Sequence, residues 1–184
     1  MLLTDKARTA TESQFRIEAG IHENVYLEPV KMEKTNNGKP FIEFNLVFND
    51  GFSLSLTEFT PIPFNDETQE QADERAFNRL VSIMDVYPDL QSKNIDAETY
   101  AEAMVEFVKI LTNYEQRKSA PLRVVLVYNK TGFLKFPNGL NKGKNKFIEV
   151  MTGKEIANTN HKFGEKPPRP EETKKVSNID DLPF

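Results

Sequence analysis

The 184-residue sequence contains no cysteine and no tryptophan, and its only two histidines stand far apart, at positions 22 and 161. Without cysteine there is no disulfide framework, no thiolate nucleophile and no Cys-ligated zinc. Two isolated histidines argue equally against a His-rich metal site and a His-based triad. Neither GxxxxGK[ST] nor GxGxxG occurs, so the eight glycines build no phosphate cradle of those kinds. Long apolar runs are missing too. The longest, at 124–128, and the Ser82-interrupted stretch at 80–84 span about five residues each, against the ~20 that a membrane-spanning helix needs. The opening Met-Leu-Leu-Thr-Asp-Lys lacks a basic stretch followed by an apolar one. The expectation is a cytoplasmic protein, neither secreted nor membrane-bound, with no cofactor and no enzymatic activity. Hydrophobic residues make up 38% of the chain, about 42% with glycine, against ~45–50% in globular domains, so part of the chain should lie outside the core.

What is present is segregated. The net charge of −4 conceals −8 over residues 66–116 and +9 over residues 117–170. A molecule with two electrostatic poles is implied, and the overall charge says little about partners.

The N-terminal half reads as strands. Phe15, Ile17, Ala19 and Ile21 alternate with Arg16 and Glu18, and the extended character continues through Val25, Tyr26, Leu27, Val30 and Met32. This predicts one long strand over 14–33, bent near Gly20, or two short ones. Asn37-Gly38 and Asp50-Gly51 are hairpin turns with positive φ. Between and after them Ile42, Phe44, Leu46 and Phe48, then Phe52, Leu54 and Leu56, face one side, which completes a three-stranded meander. The period then changes to 3.6. Ala72, Ala76, Phe77, Leu80, Val81 and Met84 form one helical stripe, and Tyr100, Met104, Phe107, Val108, Leu111 and Tyr114 form another over 97–116, with Asp96 as its cap and Ile95 as its staple. Glu98, Glu102 and Glu106 are expected on its wet face. Strands return at Leu122–Tyr128, at 133–136 and at 146–151.

A bent strand, two hairpins, a helical segment and returning strands make up a mainly β fold with a helical insertion. The expected architecture is an OB-fold-like five-stranded antiparallel barrel with helices, about 66–116, between its third and fourth strands. The folded domain is expected over 1–156. A flexible, acidic-tipped tail is expected over 157–184, because ten of the fifteen residues from Gly164 to Asn178 are charged or proline.

The basic block supplies the functional clue. Arg123, Lys130, Lys135, Lys142, Lys144 and Lys146 are interleaved with Tyr128, Phe133 and Phe136. Single-stranded nucleic acid exposes phosphates, which cations neutralise with counterion release, and base faces, on which rings stack. Across the expected groove, Lys31, Lys34 and Lys39 flank the first hairpin, with Phe41 on the face opposite the core. These thirteen positions are the candidate nucleic-acid contacts.

The chain finishes in Ile179-Asp180-Asp181-Leu182-Pro183-Phe184. This ending resembles the acidic tip of bacterial single-stranded DNA-binding proteins, Asp-Asp-Asp-Ile-Pro-Phe, and the acidic, Phe-terminated tails of their phage counterparts. It has one aspartate fewer, and Leu182 stands in place of Ile. The resemblance implies a protein that coats single-stranded DNA in replication, recombination and repair, and it assigns recruitment of partner proteins to Asp180, Asp181, Leu182, Pro183 and Phe184. A homo-oligomer is compatible with it; the short charged linker and the acidic helices put a tetramer of the bacterial kind in doubt. The competing reading is an adaptor that binds no nucleic acid and acts through the acidic helical insertion.

Overall fold

Three glycine-ended turns organise the β structure. In a computed structural model that describes residues 17–152 and 160–163, Thr35 bonds to Lys39, Phe48 to Phe52 and Asn129 to Phe133, each across three intervening residues. The third of these, Gly38, Gly51 or Gly132, has φ of 76°, 86° or 81°. A type I turn closed by a left-handed residue needs this, and glycine adopts that conformation without a Cβ clash. The loops are therefore three residues long, and neither Asn37 nor Asp50 takes the positive φ expected of a two-residue turn.

The turns connect β1 (Gly20–Leu27), β2 (Lys31–Lys34), β3 (Pro40–Val47), β4 (Ser53–Phe59), β5 (Leu122–Tyr128), β6 (Leu134–Lys135) and β7 (Ile148–Val150), with helices α1 (Gln69–Met84) and α2 (Tyr100–Asn113) between β4 and β5. The fold is mainly β, an open antiparallel sheet of seven strands with two helices. β3 carries β4 along one edge, and β2 and the end of β1 along the other. β5 pairs with β1 on one edge and with β7 and β6 on the other.

The strand count exceeds the expected five because two long strands are interrupted. The first is divided at residues 28–30, and the last by the loop between Phe136 and Phe147. The bend within β1 is at Asn24, not Gly20. The register to β5 shifts between His22 and Val25, and Asn24 has φ of 55°. Asparagine tolerates this left-handed conformation at a bulge. Beyond it Tyr26 and Leu27 leave β5 and pair with β3, so one strand joins both halves of the sheet. Among the described residues no ladder joins β4 to β6, although the two edges lie near one another.

Both helices start later than the sequence pattern suggests, because a threonine captures each first turn. The Thr68 side chain accepts from the Gln71 amide (3.2 Å), and the Gln71 side chain accepts in return from the Thr68 amide (2.9 Å). Thr99 and Glu102 form the same reciprocal pair, so Thr99 and not Asp96 caps α2. Such a cap is worth about 1 kcal/mol. Glu102 thus serves the helix end and Glu106 pairs with Lys109 at 3.2 Å, which gives two of the three carboxylates on that face a local structural role.

The helices bury their stripes against the sheet. Met104, Phe107 and Leu111 of α2 and Leu80, Ile83 and Met84 of α1 join Val25, Leu27, Ile42, Phe44, Leu46, Leu56 and Val124 in one core. Phe44 meets Phe107 and Phe136 edge to face, at centroid distances of 6.0 and 5.7 Å. Truncation of a ring such as Phe107, with no exposed surface, costs about 3–5 kcal/mol. Residues 160–163, beyond the expected domain boundary at 156, lie against this body. The Asn160 amide donates to the Lys144 carbonyl at 3.1 Å, and Phe163 is half-buried on the core. Among the described residues no helix is long and apolar enough to cross a membrane.

Candidate functional site

The edges of β4 and β6 form the walls of an open cleft of about 970 Å³. Ser53, Ser55, Thr57 and Phe59 from β4 line one side; Tyr128, Phe133, Leu134 and Lys135 line the other. Phe59 and Phe133 are more than half exposed, at 57% and 55%. Two rings left this open in the lining of one cleft make it the candidate binding site.

The local sequence explains why each ring stands there. β4 alternates inward Leu54 and Leu56 with outward Ser53, Ser55 and Thr57, and Phe59 falls in phase with the hydroxyls. Its neighbour across the ladder is Phe41, whose ring lies 5.5 Å away and supports it. Phe133 is set by the Asn129 turn. The Asn129 carboxamide oxygen accepts from the amides of Thr131 (3.0 Å) and Phe133 (2.9 Å) and from the Thr131 hydroxyl (2.9 Å). An asparagine that closes its own turn in this way fixes the direction of the residue after the glycine.

The seam is tied by Arg79 of α1. Its guanidinium bonds to both Glu58 carboxylate oxygens, at 2.7 and 3.2 Å, donates to the Gly139 carbonyl, and stacks 4.7 Å from the centre of the Phe147 ring. A forked pair of this kind fixes direction as well as charge. Arg79 is 8% exposed, so it works as a clamp from helix to β4 and to the loop after β6. Beside it, burial holds the Lys135 ammonium below the ordinary lysine pKa, the Arg79 charge adds to this, and Glu58 opposes it. Lys135 also donates to the Asn138 side chain.

A second, shallower cleft of about 700 Å³ lies on the other side of the β5–β6 turn. Tyr128, Asn129, Lys135 and Asn138 line both clefts, and Lys130, Thr131, His161 and Lys162 belong to the second.

The candidate residues separate into four groups. Tyr128, Lys130, Phe133 and Lys135 gather at the two clefts, and Phe41 joins them through Phe59. Lys31, Lys34 and Lys39 are exposed on the β2–β3 hairpin and line neither cleft. Lys142, Lys144 and Lys146 are exposed on the loop before β7 and also line neither. Asn141 fixes that loop from inside: its side chain accepts from the Phe147 and Ile148 amides at 2.8 and 3.0 Å and donates to the Ile148 and Ser82 carbonyls at 2.8 and 3.2 Å. Arg123 and Phe136 are interior residues, each 4% exposed. Arg123 bonds to Glu23 at 2.8 Å and to Glu149 at 2.9 Å, and Phe136 packs on Phe44 and Phe147, which reduces it to part of the cleft floor. Asp180, Asp181, Leu182, Pro183 and Phe184, with the expected tail from Gly164 to Asn178, lie outside the described residues.

Phe59, Glu58, Arg79 and Lys162 were not singled out from the sequence. Two of them had a signal. Phe59 is a ring on the polar parity of its strand, and Arg79 is a cation on the apolar stripe through Ala72, Ala76 and Ile83. Lys162 had none.

Among the described residues no group of three or more His, Asp or Glu side chains gathers to hold a metal ion. No family model, curated protein or solved structure matches the chain.

Proposed function

We propose that this protein binds single-stranded DNA in the cleft between β4 and β6, without catalysing a reaction on it. The observation that carries the reading is that Phe59 and Phe133, both more than half exposed, line one cleft together with Lys135. Bases stack on the rings and the ammonium meets the phosphate backbone, the two needs of a single strand. The proposal includes the oligonucleotide-binding barrel as the underlying architecture. In its support, the first strand bends between two partners, the helices sit between the meander and the returning strands, and β4 and β6 stand where a barrel would close. The acidic tip, on its resemblance, recruits replication and recombination proteins.

The test is a fluorescence titration of the full chain with oligo(dT) and with a matched duplex. Preference for the single strand is expected, with affinity falling as salt rises; about five neutralised phosphates give a slope of log K against log salt near −3.5. Equal affinity for the duplex, or no response to salt, overturns the reading. Removal of Asp180–Phe184 is expected to abolish partner recruitment while DNA affinity stays equal or rises.

A further inference from the structure

The two clefts differ in charge, and the difference divides the labour of binding. In the seam cleft the cations Arg79 and Lys135 face the carboxylates Glu18 and Glu58. Arg79 is held by Glu58 in a two-point ion pair. A phosphate placed there would meet two like charges and find only Lys135 to pair with. Among the described residues, the second cleft has Lys130, Lys135 and Lys162 in its lining and no carboxylate. Thr131, Asn129 and Asn138 add hydroxyl and amide groups at its rim.

On the reading that the seam takes single-stranded DNA, we infer that the second cleft is a separate phosphodiester-backbone site, so that bases lie in the seam and the backbone crosses Lys135 onto Lys130 and Lys162. Neutral bases carry no charge for Glu18 and Glu58 to repel, whereas the anionic backbone is driven to the wall whose cations face no carboxylate among the described residues. Lys135, present in both linings, is the crossing point.

The site is built rather than incidental, because its cations come from distant parts of the chain held in fixed positions. Lys130 rides on the Asn129 turn that also sets Phe133. Lys162 is carried by a segment anchored at three points: the Asn160 amide on the Lys144 carbonyl at 3.1 Å, the His161 ring nitrogen on the Asn145 carbonyl at 2.9 Å, and Phe163 against the core. The His161 ring also meets Phe147 at 6.5 Å. The helices contribute no carboxylate to this cleft.

Full-length protein is titrated over a range of salt with oligo(dT) and with an abasic deoxyribose-phosphate oligomer of equal length. Three double variants accompany the wild type: Lys130→Gln with Lys162→Gln, Phe59→Ala with Phe133→Ala, and Lys142→Gln with Lys144→Gln. The first pair is expected to reduce the salt slope by about 1.4, at about 0.7 per lost phosphate contact on a single strand, and to do so on both oligomers. The ring pair is expected to weaken oligo(dT) binding at least tenfold with the slope unchanged, and to leave the abasic oligomer unaffected. The third pair, from a loop outside both clefts, is expected to leave the slope as it was. If the first pair leaves the slope unchanged, or the third lowers it as much as the first, the backbone site is overturned while the seam reading stands. If the wild type does not bind oligo(dT), the seam reading itself falls.

Discussion

Two joints hold the sheet together, and each has a buried arginine. At the β1–β5 joint Arg123 bridges Glu23 and Glu149 above strands already connected by a backbone ladder. At the β4–β6 seam Arg79 bridges Glu58 and the Gly139 carbonyl where no ladder connects the edges. The same guanidinium chemistry therefore has two different consequences. Over a ladder it adds to a connection the backbone has made. At the seam side chains supply the connection, the walls stay apart, and the space between them is lined with rings. An arginine in a basic, aromatic stretch is thus no guide to ligand contact until its carboxylates are known.

The comparison breaks most visibly if the two arginines are removed in turn. Arg79→Ala leaves Glu58 beside the cleft with no guanidinium, and a loss of about 3 kcal/mol in urea unfolding is expected. Oligo(dT) affinity is expected to fall more than tenfold, since the lips lose their fixed separation. Arg123→Ala should cost less, about 2 kcal/mol, because Glu23 is half exposed and recovers its hydration while Glu149 keeps Lys146 at 3.8 Å. It should leave the affinity unchanged. Equal effects of the two variants on DNA binding would show that the seam holds no special position.

A smaller effect sharpens the same contrast. Phe59→Ala is expected to cost about 1–3 kcal/mol in oligo(dT) binding, the range for loss of one stacked base. Its effect on unfolding should stay within about 0.5 kcal/mol, as for exposed positions. A ring that mattered to stability and not to binding would belong to the core.

The smallest expected effect concerns pH. Lys135 in the folded protein has its pKa below the ordinary 10.5, chiefly through burial. In the window between the lowered value and 10.5 the unfolded chain binds more protons, so this group makes stability rise with pH there. Its charge is lost as pH rises through the lowered value, and oligo(dT) affinity should fall with it. Lys135→Arg, which keeps its charge, should move the onset of that fall to higher pH. An unchanged onset would separate Lys135 from the bound strand.

Much of the fold was legible in local pattern. Alternation in 41–48 and 52–57, the glycines at 38 and 51, and the apolar stripes of both helices each depend on neighbours within four residues, and each marked a real element. Helix starts were less legible, because Asp96 and Thr99 are both competent caps and only the reciprocal bond with Glu102 chooses between them. The candidate site was legible in part. Tyr128, Lys130, Phe133 and Lys135 reach the clefts, whereas Arg123 and Phe136, identical in type to their neighbours, point inward. Arg123 is taken out of solvent by carboxylates of two neighbouring strands and Phe136 by the Phe44 and Phe147 rings, partners that local pattern does not name.

By itself the sequence determined the succession of strands, turns and helices, the separation of acidic helices from basic strands, and the absence of cysteine chemistry. Those properties reside in adjacent residues or in composition. Only the tertiary structure decided that Phe59 would share a cleft with Phe133, that Arg79 would tie Glu58 to the loop after β6, and that Lys162 would join Lys130. Each of these meetings is between segments 20 or more residues apart, and their relative placement is set by how the helices and the divided strands fill one core.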